Sequence, residues 1–203
     1  MTLIILQNDL DNMDQLDKQE IDDFESIEEY RKFAVSKLGE NITIRRFKRI
    51  YLDGVLGRYI HGSKIASLVL LDHDDSAELA KDIAMHVAAT NPLALSENDL
   101  DSEVIDKEKA MLKAEALESG KPEAIVDKMV DGRMKKFFKE SVLLTQTFVM
   151  DGERSVSKVI EDEALSINAD IKMVAFSRMS LGEGIQKKEE NFAAEVAAAV
   201  ASS

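Results

Sequence analysis

Three histidines, His61, His73 and His86, are the residues from which acid–base or metal chemistry in this 203-residue chain would have to start, because the sequence contains no cysteine. That lack removes thiolate nucleophiles, thiolate metal sites and disulfides together, and it fits a reducing compartment. His73 sits in LDHDDS, flanked by Asp72, Asp74 and Asp75. Adjacent residues cannot easily turn their side chains onto one ion, so the string reads as a solvated loop leading into a helix cap. His86 falls near the apolar face of a helical pattern, where an imidazole reads as a satisfied, semi-buried group and not as a general base. His61 ends a strand-like stretch just before Gly62 and is expected to project from a rigid edge, which suits a contact residue or an ordinary polar turn equally.

Other chemistries find less to work with. Gly182-Glu183-Gly184 lacks the third glycine and the strand-turn-helix setting of a dinucleotide fingerprint, and no phosphate-cradling GxxxxGK[ST] loop occurs. With 39 acidic residues, paired carboxylates occur at every spacing by chance and none is given a catalytic role. A hydrolase built on His61 and neighbouring acids lacks a nucleophile with an orienting pair. The expectation is therefore no catalytic residues, no cofactor and no metal. The formal charge of -13 repels phosphate backbones and anionic lipid, and the absence of Trp with only 5% aromatics leaves no stacking platform, so neither nucleic acid nor membrane is expected as a direct partner. No apolar run is long enough to cross a bilayer. Met1 to Leu6 are apolar but run straight into acidic residues without a basic leader or cleavage site, so no signal peptide is read, and a cytoplasmic location is expected, with an organelle matrix or stroma as the alternative.

The elements that would hold these residues follow from periodicity. Residues 1–25 are an acidic leader with scattered apolar positions, expected to be mobile or loosely docked. Ile27, Tyr30, Phe33 and Ala34 have helical spacing, and Gly39 lies where a left-handed cap would close that helix. Alternation over Ile42 to Arg46, then VLGRYIH after Asp53-Gly54, then KIASLVLL after His61-Gly62, predicts three strands of an antiparallel meander. Asp75 as N-cap with Glu78 opens a helix whose Leu79, Ile83 and Val87 would cover the sheet, and Asn91-Pro92 stops it. Residues 96–140 read as an inserted antiparallel helical hairpin, with Leu100, Val104, Met111 and Leu117 on one helix and Val126, Val130, Met134 and Phe137 on the other. Its narrow stripe suits an arm more than a core, and it offers a surface for homodimer pairing. LLTQTFVM reads as sheet, a short helix follows near Val156 to Glu163, IKMVAFSRM alternates as a strand, and residues 186–203 read as a C-terminal helix. The fold class is α+β, with residues 26–95 and 141–185 forming one sheet-containing subdomain interrupted by the arm.

Particular strings add what composition cannot. GENITIRR from Gly39, GRYIHGSKI from Gly57, IAMHVAATNP from Ile83, GKPEAIVDKMVDGRMKKF from Gly120, FVM from Phe148 and LGEGIQKKEENFAAEVAA from Leu181 resemble, in order, successive motifs of elongation factor Ts. The resemblance implies a guanine-nucleotide exchange factor that binds elongation factor Tu and accelerates loss of GDP by deforming its phosphate loop and magnesium site. It implies contacts at Leu38 and Gly39, at His61 against a helix of the nucleotide-binding domain, and at Val149 and Met150 against a more distant partner domain. It also implies a three-helix module and a Thr-Asp-Phe-Val wedge ahead of this region. Neither is read here, and the only Asp-Phe pair, Asp23-Phe24, lies in unmatched surroundings. A processed or naturally shortened piece, binding the partner or pairing with itself without efficient exchange, is the alternative.

Overall fold

The computed structural model describes residues 1–51, 53–118 and 122–184. They fall into two compact units, the first being Met1–Tyr51.

In the first unit the acidic leader is folded. Helices α1 (Thr2–Gln7), α2 (Met13–Leu16) and α3 (Ile27–Leu38) surround a small core of Leu10, Leu16 and Ile27, with Ile4, Ile5, Met13, Ile21, Ile44 and Phe47 packed against it. The scattered apolar residues share no single period because they come from several short elements, yet they converge on one cluster. Asn12 caps α2 by accepting from Gln15 N–H, and Ser26 caps α3 by accepting from Glu29 N–H. Arg31 forks onto both carboxylate oxygens of Glu28 and holds that carboxyl down at about 2. Phe24 packs on the rings of Tyr30 and Phe33, which gives the Asp-Phe pair a structural place.

The stretch Ile42 to Arg46 differs from expectation. It joins no sheet, and Ile44 instead turns into the leader's core. Alternation reports extended backbone with one buried side and does not report a pairing partner.

The second unit holds the sheet. Strands β1 (Val55–His61), β2 (Ile65–Leu71) and β3 (Met173–Ser180) are all antiparallel in the order β1-β2-β3, so the third strand comes from beyond the arm. Helix α4 (Ala77–Thr90) covers one face, burying Leu79, Ala80, Ile83, Ala84 and Val87 against Val69 and Leu71. Gly57 allows this contact, since a Cβ there would collide with the Ala80 carbonyl. Ser67, buried in β2, donates to Ala84 O at 2.6 Å and satisfies a hydroxyl in the same interface. The helix opens one residue later than the sequence suggests, with Ser76 and not Asp75 at the N-cap position. His73 caps a 3₁₀ turn at Asp74–Ser76 by accepting from Asp75 N–H, and α4 proper starts at Ala77.

Helices α5 (Ser102–Glu118) and α6 (Glu123–Ser141) form the hairpin. Leu112 and Ala116 pack on Val126, Val130 and Met134, while Val104, Met111 and Leu117 are exposed. The α6 stripe matches expectation; the α5 stripe runs through Ile105, Leu112 and Ala116 instead. At the root, Leu93 N–H donates to Ser141 O and Leu143 N–H to Ala94 O, closing the two ends of the insertion. The string LLTQTFVM holds a 3₁₀ turn, Leu143–Thr145, and a loop, not a strand. Helix α7 (Val156–Ser166) follows, capped by Ser155. The expected C-terminal helix at 186–203 lies outside the described residues.

Candidate functional site

Each residue that the resemblance marks as a contact lies at the surface. In the first unit, Leu38 ends α3 and is 66% exposed, and Gly39 follows at φ 72 with its N–H donated to Val35 O. A left-handed cap is what lets the chain reverse there and leaves Leu38 standing free.

In the second unit, His61 is the last residue of β1, opposite Ile65, with the turn closed by Lys64 N–H donating to His61 O. Residues two apart on a strand share a face, and this places Tyr59 beside it, with Tyr59 Oη 3.0 Å from His61 Nδ1. Tyr59 is itself half-buried against the core, so it anchors an exposed imidazole to a rigid sheet. The two border a cavity of about 360 Å³ with Met85 and Ala88 of α4 and Arg178 of β3. Arg178 donates to the Ala88 carbonyl at 3.2 Å, satisfying one of the carbonyls left open at the end of α4.

Val149 and Met150, 45% and 52% exposed, stand at the tip of a short loop after buried Phe148. The loop is closed by Phe148 N–H to Arg154 O and Gly152 N–H to Phe148 O. Asp151 accepts from Glu153 and Arg154 N–H and pairs with the Arg154 guanidinium. The Glu153 amide and then these other donors hold its carboxyl below the usual range. Two apolar side chains are thereby displayed on a braced loop.

His86 is fully buried on α4, and burial pushes its imidazole down from the ordinary value, against a hydrogen bond with Gln146 that raises it. Nδ1 accepts from Val149 N–H at 3.2 Å and Nε2 lies 2.9 Å from Gln146 Oε1. Tyr59 and Gln146 escaped the sequence reading. The i, i+2 relation to His61 signalled Tyr59, whereas nothing local marked Gln146, 60 positions from its partner His86.

After β3, Glu183 accepts from Ser180 N–H between Gly182 at φ 80 and Gly184 at φ 70, so the two glycines serve a tight turn. Among the described residues no three histidine or acidic side chains are arranged to hold a metal ion, and no helix is long and apolar enough to cross a membrane.

Comparison with known proteins adds identity to this geometry. A family model described as elongation factor TS matches residues 1–183. The chain belongs to the elongation factor Ts family. Elongation factor Ts from Clostridium perfringens is 42% identical over 200 residues, covering 96% of this chain and 66% of that protein. The Legionella pneumophila protein of the same name is 43% identical over 189 residues, 93% of this chain and 62% of its own. The protein from Teredinibacter turnerae reaches 49% over 181 residues, 88% and 60% respectively. The chain thus spans less than two thirds of the length of these elongation factor Ts relatives. The family match begins at residue 1, so the acidic leader and α3 lie inside the family's similarity, further forward than the motifs from Gly39 onward had indicated.

Proposed function

We propose that this chain acts in translation elongation as a guanine-nucleotide exchange factor, binding elongation factor Tu and promoting release of GDP without catalytic residues of its own. Membership of the elongation factor Ts family supports the reading, and one geometric observation carries it: His61 is exposed at a strand end yet held by Tyr59 on the sheet. An exchange factor needs rigid, exposed groups more than it needs acids or bases. If it binds the empty GTPase more tightly than the GDP-bound form by some factor, linkage weakens GDP binding by the same factor. Val149-Met150 and Leu38-Gly39 supply further contacts in this reading, the first on a braced loop and the second on a capped helix end.

Stopped-flow release of fluorescent GDP from elongation factor Tu tests it. The wild-type chain should accelerate release, and His61→Ala should lower the acceleration about tenfold, the scale of one well-placed interface residue, with an unchanged circular dichroism spectrum. An unchanged rate removes His61 from the mechanism. A second reading, a fragment that binds without efficient exchange and pairs with itself through the arm, draws on the exposed Val104, Met111 and Leu117 of α5. Binding with no acceleration, together with a dimer in sedimentation equilibrium, would favour it.

A further inference from the structure

The buried histidine has a task that packing alone does not explain. Three residues of one segment meet its ring: Gln146 through Oε1, Phe148 through a ring contact at 5.7 Å, and Val149 through its backbone N–H. An amide N–H can only donate, so Nδ1 must present its lone pair and the proton of the neutral ring must sit on Nε2, which donates to Gln146 Oε1. Gln146 then turns its Nε2 to the Glu140 carbonyl at 2.6 Å, near the end of α6. Thr90, one turn after His86, brings its hydroxyl within 3.0 Å of the same Gln146 oxygen and 2.9 Å of the His86 carbonyl. The cluster therefore joins α4, the root of the helical arm and the Val149–Met150 loop. An apolar side chain of similar size would fill the space, but it would leave the Val149 amide and the Gln146 oxygen without these partners.

We infer that His86 is a positioning residue that fixes the Val149–Met150 loop relative to α4 and the arm root by accepting from Val149 N–H. Its link to function rests on the reading of that loop as a partner contact; its link to the loop does not. His86→Leu removes both ring hydrogen bonds. His86→Asn places Oδ1 on the same Cγ as Nδ1 and can still accept from Val149 N–H while losing the bond to Gln146.

The test compares amide hydrogen exchange at Val149 with that at Val87, a buried residue of the same helix, and measures the dissociation constant for nucleotide-free elongation factor Tu in the full chain. With His86→Leu, Val149 exchange should rise about tenfold relative to Val87 and affinity should fall by a similar factor, the scale of one lost buried hydrogen bond. With His86→Asn both should return to within about threefold of wild type, a rescue that general loss of packing would not give. A Val149 to Val87 ratio unchanged in His86→Leu overturns the inference, and so does an equal response to Leu and Asn. Unchanged affinity in Val149→Ala, Met150→Ala sinks the contact reading instead, while the exchange ratio still decides whether His86 holds the loop. Reduced affinity in that double variant with normal affinity in His86→Leu overturns the positioning role.

Discussion

The same change, glycine to alanine, should move stability in opposite directions at Gly57 and Gly132. At Gly57 an added Cβ meets the carbonyl of Ala80 and the amide of Lys81, all backbone, which cannot rotate aside. To reach ordinary contact α4 has to retreat from β1 by well over 1 Å, and a gap of about 1 Å already forfeits about half of each dispersion contact across it. Ala80, Ile83, Ala84 and Val87 all lie fully buried in that interface. Overpacked cores typically lose about 1–3 kcal/mol, and with a whole helix displaced Gly57→Ala belongs near 3 kcal/mol. Gly132 lies exposed inside α6 with open space where an alanine methyl would stand. There the substitution only removes backbone freedom from the unfolded chain and should stabilise by about 0.5–1 kcal/mol. Urea unfolding followed by far-ultraviolet circular dichroism reads both. With a denaturant slope of about 2 kcal/mol per M, Gly57→Ala should lower the midpoint by roughly 1.5 M and Gly132→Ala should raise it by a few tenths. A Gly57→Ala midpoint equal to wild type would refute the close packing of α4 on β1.

Two smaller effects can be read in the same assay. The folded-state pKa of His86 is depressed, so below about pH 6.5 the unfolded chain takes up a proton that the folded chain does not. Its contribution is fully present above that pH and drains away as pH falls, at up to about 1.4 kcal/mol per pH unit; subtracting the His86→Asn profile from wild type between pH 7.5 and 5.5 should isolate the slope, and a flat difference would contradict it. Ser67→Ala leaves the Ala84 carbonyl without its hydroxyl donor in a buried interface and should cost about 1 kcal/mol, against no change if that bond is idle.

The sheet's three strands show what was legible in the sequence. VLGRYIH, KIASLVLL and IKMVAFSRM each announce extended backbone, and α4 and α6 announce themselves through long 3.6-residue stripes. What periodicity could not give was partnership. Ile42 to Arg46 alternates as well as any true strand, but it lies next to the leader's apolar residues, and β2 takes its second partner from more than a hundred positions downstream. The α5 stripe was misplaced for a different reason. Its buried line passes through Ala116, whose small side chain contributes little to a hydrophobic pattern yet allows close approach to α6, whereas Met111 and Leu117 contribute much and face water.

The candidate site divides along the same line. That His61 projects was legible because a turn glycine follows it at a strand end, whereas its part as a contact came from the resemblance alone. Its anchor, Tyr59, is local too. The bond from His86 to the Val149 amide, which adds to the loop's own hydrogen bonds, is not local. His86 reads in sequence as one more residue on the apolar side of a helix, and Gln146 as a polar residue in a presumed strand. Only when α4 crosses the root of the arm do an imidazole lone pair, a carboxamide and a loop amide satisfy one another. A buried polar group is costly unless every donor and acceptor is matched. The pairing therefore ties the order of this loop to correct assembly of two elements far from it in sequence. If the loop is the contact surface proposed above, it gains from that dependence, because the His86 bond adds to the loop's own hydrogen bonds only when α4 meets the root of the arm.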